Sequence, residues 1–407
     1  MKLLIENFAQ IERASIDFGE PGDLTLLVGQ QATGKSLVLQ WLKLLTDRGH
    51  VRSNWEKYSI NWKIKDDALR PLDLFFGEGL GKGYTEKKTK IQLDSKNFSI
   101  DTLFDYARGH KTDTSAILEQ TYYIPAHRAL LLADGWPLAF QQHRIGTPYV
   151  ARAQSERLLQ WLNRSEEGIF PIRNRLQSGI RSLFNDAIFH GAQLNVDRAS
   201  HQSRLVLTAG QATAIPYMAW TAGQREFVPL LIALYELLPA GGVSQLASVE
   251  TVILEEPELG LHPKALFAVG IAILHLINRG YRVVVSSHSP LMVDFAWALN
   301  RLRVAYQRGK ASDKDYFKAF DLKSTPFNKQ LVESLKKSKS RAYYLGYSAN
   351  SSGPPTVKES DISDLRTYGG ANEPIWGELL RYSTQLGEVV GQLDLDFSVL
   401  SRRELAS

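Results

Sequence analysis

Gly29-Gln30-Gln31-Ala32-Thr33-Gly34-Lys35-Ser36 fits the pattern G-x-x-x-x-G-K-[ST]. The apolar, partly β-branched run Leu24-Thr25-Leu26-Leu27-Val28 precedes it and is expected to be a buried strand. After it, Leu37 to Leu45 spaces its apolar residues as a helix does, with Trp41 and Leu45 four apart. Strand, glycine loop and helix are the context in which such a loop cradles phosphate. Its two glycines let the backbone wrap the anion, and the free N–H groups of the helix start point at it. Lys35 would neutralise β- and γ-phosphate charge, and Ser36 would hold Mg²⁺ through its hydroxyl. A nucleoside triphosphate is the implied ligand.

The second decisive stretch is Thr251-Val252-Ile253-Leu254-Glu255-Glu256-Pro257-Glu258. A β-branched run ending in acids describes a buried parallel strand that delivers carboxylates to the C-terminal edge of a sheet. One carboxylate can hold Mg²⁺ and the next can orient or deprotonate an attacking water. A helix over Lys264 to Asn278 follows, then the strand Tyr281-Arg282-Val283-Val284-Val285 running into Ser286-Ser287-His288. If the two strands are in register, His288 comes level with Glu256, where it could sense a γ-phosphate. Trp220-Thr221-Ala222-Gly223-Gln224 opens an apolar helix from Phe227 to Leu238. Small residues at a helix start make either an anion site or an ordinary cap. The chain already has one phosphate loop, so this turn is expected to complete a site on another subunit.

In this order the motifs resemble an ABC-type ATPase head, in the branch shared by RecF, SMC proteins and OLD-like ATPases. Ile5-Glu6-Asn7-Phe8 with Ala14 to Phe18 is similar to that branch's first hairpin. Glu255 to Pro263 and Tyr123-Ile124-Pro125-Ala126-His127-Arg128 are close to the OLD-like form. The resemblance covers roughly residues 1 to 300. It implies an α/β fold with a mixed central sheet, an N-terminal antiparallel β region and a helical insertion. It also implies ATP on Gly29 to Ser36, Mg²⁺ on Ser36 and Glu255, and Glu256 as the group that activates water. His288 would be the switch histidine, and Thr221, Ala222, Gly223 and Gln224 would clamp the γ-phosphate of a second head. Two positions depart from the pattern: Glu255 stands where most such heads have Asp, and Ala222 where they have Gly.

Composition bounds the setting. The 407 residues are 44% hydrophobic and 22% charged, and none is cysteine, which excludes disulfides, thiolate metal sites and cysteine nucleophiles. The start lacks a signal peptide's apolar core, and the longest apolar stretch, Ala265 to Ile277, is too short for a bilayer, so a cytoplasmic protein without a membrane span is expected. Net charge is +5, yet Arg301 to Arg341 alone holds twelve Lys/Arg against four Asp/Glu. That run is either a solvated surface or a nucleic-acid patch.

The expected organisation is a head over 1–348 and a linker with a helical C-terminal piece over 349–407. Within the head, 50–215 would hold an antiparallel region (Tyr58 to Ile64 alternates) and one or two helices over 151–190 with Gly168 and Pro171 between them. The remainder after Ser348 is shorter than the roughly 100 residues of a typical catalytic domain. Asp394-Leu395-Asp396 reads as a solvated helix end rather than as part of the Toprim nuclease that OLD-like heads often carry. A head-to-head oligomer controlling a separately encoded effector, nuclease or toxin, is therefore expected, as in PARIS-like anti-phage systems. The alternative is a recombination or repair ATPase acting on DNA. A transporter subunit is disfavoured by the Glu-Glu-Pro-Glu-x-x-Leu-His-Pro form and by the long span from Ser36 to Thr221.

Overall fold

A computed structural model describes residues 1–64, 67–104, 118–165, 168–172, 175–198, 202–239, 246–348 and 356–363. The chain opens with the hairpin β1 (Lys2–Phe8) and β2 (Ile11–Asp17), then β3 (Leu24–Gly29) and α1 (Lys35–Lys57). α2 (Arg70–Phe76), the hairpin β4 (Lys90–Leu93) and β5 (Lys96–Phe98), and α3 (Ile100–Phe104) follow. β6 (Thr121–Ile124), the short pair β7 (Leu132–Ala133) and β8 (Trp136–Pro137), and α4 (Tyr149–Arg164) come next. β9 (Gly168–Phe170), α5 (Ser178–Phe184), β10 (Gln193–Asp197), β11 (Arg204–Ala209) and β12 (Ala212–Pro216) lead to α6 (Ala222–Leu237). β13 (Thr251–Glu255), α7 (Pro263–Asn278) and β14 (Arg282–Ser286) form a parallel crossover. α8 (Pro290–Gln307), α9 (Asp313–Ala319), α10 (Pro326–Leu335), β15 (Ser340–Ser348) and β16 (Thr356–Asp361) complete the described chain.

Ten strands make one mixed sheet in the order β5-β4-β1-β2-β16-β15-β3-β14-β13-β6. From β15 to β6 every pairing is parallel, whereas β5, β4, β1 and β2 are antiparallel neighbours. The fold is thus α/β with a mixed central sheet, as the motif order implies. β3, β13 and β14 are buried at every residue, because helices cover both faces. Side-chain alternation sorts them cleanly. Leu26, Val28, Val252, Leu254, Val283 and Val285 face the core built on α6, α7 and α8. Leu27, Ile253 and Val284 face the one built on α1 and the β1–β2 hairpin. On that second face Trp41 meets Phe8 edge-on at 5.1 Å and Phe76 at 4.9 Å.

The structure corrects several sequence expectations. α1 does not stop near Leu45 but continues to Lys57 across a non-helical Asp47 (φ −119°, ψ 23°). Tyr58 to Ile64 does alternate in exposure, yet forms no strand; Trp62 packs against Trp55 and Phe104 instead of a sheet neighbour. The antiparallel region of 50–215 lies elsewhere: β4 and β5 extend the main sheet, and β9 to β12 form a separate four-stranded sheet. The 151–190 stretch holds two helices, α4 and α5, as expected, and the break at Gly168 to Pro171 contains the short strand β9. Residues 356–361, expected beyond the head, lie inside its sheet, where β16 pairs antiparallel with β15 and parallel with β2. The helix expected over Pro374 to Leu393 and the Asp394–Asp396 pair lie outside the described residues. Among the described residues no helix is long and apolar enough to cross a membrane.

The kink in α1 has a polar cause. Lys43, fully buried, donates from Nζ to Asp47 Oδ2 (2.6 Å), Glu119 Oε1 (2.7 Å) and the Thr121 carbonyl (2.6 Å). Asp47 in turn accepts the backbone N–H groups of Gln120 (2.7 Å) and Thr121 (3.1 Å), pinning the start of β6 to α1. Burial alone would raise the Glu119 pKa, but Lys43 and Arg157 bring it down to about 2. Among the described residues, removing the lysine leaves the buried Asp47 carboxylate without its cation and Glu119 with Arg157 alone. Lys43→Met is expected to cost about 3–5 kcal/mol in denaturant unfolding. A cost below about 1 kcal/mol would show that the hub does not hold β6.

Candidate functional site

The loop between β3 and α1 carries Gly29 to Ser36. Gly29 has φ +146°, and a Cβ there would stand 2.1 Å from the Leu345 carbonyl oxygen of β15, so only glycine fits the close approach. Gly34 caps α1 in the left-handed region, and Ala32 within the loop also has a positive φ (60°). Thr33 Oγ1 donates to the Gln30 carbonyl (2.9 Å). Gln10 Nε2 and Tyr347 Oη both donate to the Ala32 carbonyl, at 3.0 and 2.9 Å. Lys35 is 5% exposed and folds back over the loop, donating to the carbonyls of Gly29 (2.9 Å) and Gln30 (2.8 Å). Burial lowers its pKa to about 8 against the pull of Glu256, Glu258 and Glu255. Gln31 and Ser36 are exposed at the loop's rim.

The acids arrive from the neighbouring strand. Glu255 pairs with Ser286 across β13 and β14, and Ser286 with Leu27 of β3, so these three residues lie level near the C-terminal ends of their strands. Glu255 is buried, and its Oε2 accepts the Ala126 N–H (3.2 Å). Its Oε1 is buried without a hydrogen bond, and the Ser36 and Tyr123 hydroxyls lie near the carboxylate. Burial raises the Glu255 pKa, and Ser36, the Ala126 N–H and Tyr123 oppose that rise. An acceptor left bare beside a serine hydroxyl is a donor set that suits a hard divalent cation. Ser36 and Glu255 could hold Mg²⁺ here. Among the described residues no cluster of three His, Asp or Glu forms a metal site, so phosphate oxygens and water would complete the shell.

Glu256 sits just past β13 with φ +41°, and its N–H donates to the Ser286 carbonyl (2.9 Å). Its Oε1 lies 3.3 Å from His288 Nε2, and this contact chiefly lowers its pKa. Both side chains are partly exposed. Glu258, quoted above only as part of the acidic run, proves to hold His288: its Oε1 accepts the Ser287 hydroxyl (2.8 Å) and the His288 N–H. The structure therefore brings Lys35, Ser36, Glu255, Glu256 and His288 into one cluster at the C-terminal edge of β3, β14 and β13.

Thr221 to Gln224 stand at the start of α6. Thr221 and Ala222 are exposed, and the cap is reciprocal: Thr221 Oγ1 accepts the Gln224 N–H (3.2 Å), and Gln224 Oε1 the Thr221 N–H (3.1 Å). Gly223 packs on Gly260, whose carbonyl oxygen would lie 2.6 Å from an added Cβ. The turn is thus seated on the loop that follows the acids. Arg128, also without a role assigned from the sequence, is 1% exposed beneath them and donates to the carbonyls of both Glu255 and Glu256. No residue spacing signals such a contact. The other sequence candidate, 301–341, forms α8 to the start of β15. Arg301, Arg308, Lys310, Lys314, Lys318 and Lys323 are exposed there, while Lys336 is buried against Asp313 (2.7 Å) and Glu333 (2.5 Å).

Several solved structures resemble the chain. An SMC head bound to the C-winged helix domain of ScpA is 10% identical, covers 90% of this chain and 98% of its own, and has a TM-score of 0.39. A dimeric ATP-binding cassette in a post-hydrolysis state bound to ADP and Pi is 12% identical, with coverage of 72% and 90% and a TM-score of 0.33. The ATP binding subunit of an ABC transporter is 13% identical, with coverage of 82% and 99% and a TM-score of 0.32. No curated protein matches the sequence. Residues 24–294 match the family described as AAA domain, putative AbiEii toxin, Type IV TA system. The match takes in the P-loop, both acids, the Thr221 turn and His288, well over half of the chain, and the chain belongs to this AAA-domain family.

Proposed function

We propose that this chain binds and hydrolyses ATP as a switch, working head to head with a second copy and controlling a separately encoded effector in a defence system. The observation that carries the reading is the meeting of Lys35, Ser36, Glu255 and the Glu256–His288 pair at one sheet edge. Lys35 would exchange the Gly29 and Gln30 carbonyls for phosphate oxygens. Its lowered pKa means that phosphate binding favours the protonated form. Ser36 and Glu255 would hold Mg²⁺, which when bound neutralises charge on the phosphates. Glu256, ionised at neutral pH, would orient the attacking water and accept its proton. His288 would leave Glu256 for the γ-phosphate and return when that group departs.

Two further features support the wider reading. Thr221 and Ala222 stand exposed at the start of a long helix seated on Gly260, where a second copy's nucleotide can reach them. The family description speaks of a putative toxin of a toxin–antitoxin system, which accords with a two-component defence module, anti-phage or otherwise. The alternative, a recombination or repair head gripping DNA through 301–341, is favoured by the exposed cations on α8 and α9. It requires duplex affinity to fall steeply between about 50 and 200 mM salt; a flat response removes it.

Glu256→Gln is expected to keep ATP affinity while turnover falls at least about 100-fold. Unchanged turnover would place the base elsewhere. Wild-type ATP affinity is expected to weaken as pH rises past about 8, where the nucleotide-free Lys35 loses its proton. Lys35→Arg should flatten that profile, and a profile identical in the two proteins would separate Lys35 from phosphate binding.

A further inference from the structure

Arg128 occupies the first turn after β6 and makes an unusual use of its donors. Nε donates to the Glu226 carbonyl (3.0 Å), and Nη1 to the carbonyls of Pro125 (3.1 Å) and Glu255 (2.7 Å). Nη2 donates to the Glu256 carbonyl (3.1 Å). Its charge partner is the Glu226 carboxylate at 3.9 Å, whose Oε2 also accepts the Ala129 N–H (3.3 Å). Burying a guanidinium this deeply is costly, and apolar packing would serve stability as well or better. What the arginine provides is a rigid planar fork that fixes several acceptors relative to one another.

Those acceptors belong to two functional pieces. One is the end of β13, where Glu256 holds a left-handed conformation (φ +41°) that is strained for a non-glycine residue and needs outside support. The Arg128 bond to its carbonyl and the Ser286 bond to its N–H supply that support from both sides. The other piece is the opening turn of α6, reached through Glu226 only two residues after Gln224. The same helix start also rests on Gly260.

We propose that Arg128 is a positioning residue for ATP hydrolysis: it holds the Glu256 backbone so that the carboxylate meets the attacking water, and it ties that setting to the Thr221–Gln224 turn seated on a second copy's nucleotide. The proposal rests on the ATPase reading above. Arg128 touches no phosphate in this scheme. Its loss acts through Glu256 and leaves the P-loop intact.

The test uses the full chain with Arg128→Lys, Glu226→Ala, the double variant and Glu256→Gln. For each, kcat for ATP, Kd for a non-hydrolysable ATP analogue with magnesium, and Tm are measured. Arg128→Lys keeps the charge but loses the fork, and kcat is expected to fall about 30- to 100-fold while Kd stays within about threefold of wild type. Glu226→Ala should lower kcat less, and the double variant should be no worse than Arg128→Lys alone, since both act along one connection. A wild-type kcat in Arg128→Lys overturns the proposal. So does a parallel loss of Tm, Kd and kcat, which would mark the arginine as only a fold element. Should Arg128→Lys fail to fold, Arg128→Gln decides: reduced kcat at unchanged Kd supports the connection, and unchanged kcat overturns it. Full turnover in Glu256→Gln would overturn the assignment of Glu256 and this proposal with it, whereas an inactive Glu256→Gln beside a fully active Arg128→Lys overturns this proposal alone.

Discussion

The in-register parallel pairing of β3, β14 and β13 is the constraint on which everything else hangs. Leu27, Ser286 and Glu255 stand level across three strands whose residues are all buried. A parallel sheet covered on both faces leaves polar side chains one place to reach solvent: the ends of its strands. The phosphate loop, the paired acids and the Ser287–His288 segment therefore emerge together. A slip of one residue in either pairing would turn Val284 or Ile253 to the opposite core and break the cluster at the same stroke.

At that edge the charges are interdependent. Lys35 is buried and, among the described residues, has no carboxylate within bonding distance; it is held by loop carbonyls and by the field of three glutamates. Glu255 is more deeply buried than Glu256 and has its pKa raised, while Glu256, in contact with His288, has its pKa lowered. Two adjacent acids thus have different characters, one a poorly solvated oxygen donor, the other an ionised group at the rim. Backbone contacts underneath keep them there: Arg128 on the carbonyls, Glu258 on the His288 N–H, and Gly260 under Gly223.

Much of this was legible in the sequence because it is local. Strand–loop–helix at Gly29 to Ser36 and strand–helix–strand from Thr251 to Ser286 are short-range patterns, whereas their register was only a condition in the sequence and comes from the structure. Gly223 was read only as part of an anion turn, and its packing on the Gly260 carbonyl belongs to tertiary structure. Other features were not. Asp47 bends α1 because β6 presents it with two amides, so the helix's reach to Lys57 depends on a partner far along the chain. Tyr58 to Ile64 carries a strand's alternation but finds an aromatic cluster rather than a neighbouring strand. The Ser/Gly/Pro-rich composition after Ser348 reads as a linker, yet the chain re-enters the sheet at Thr356, filling the place between β15 and β2. Arg128 was quoted only as the end of an OLD-like stretch; it bonds to carbonyls, which every residue possesses, so that stretch could not announce its contacts.

Because one chain carries both a phosphate cradle and an exposed Thr221 turn, the account stands or falls on whether the two come together between copies. The direct measurement is ATP turnover by a mixture of Lys35→Ala and Thr221→Arg chains, each inactive alone. Mixed pairs keep one intact composite site, and an equimolar mixture is predicted to recover about a quarter of wild-type turnover. Turnover no greater than the sum of the two separate variants would contradict a site shared between copies.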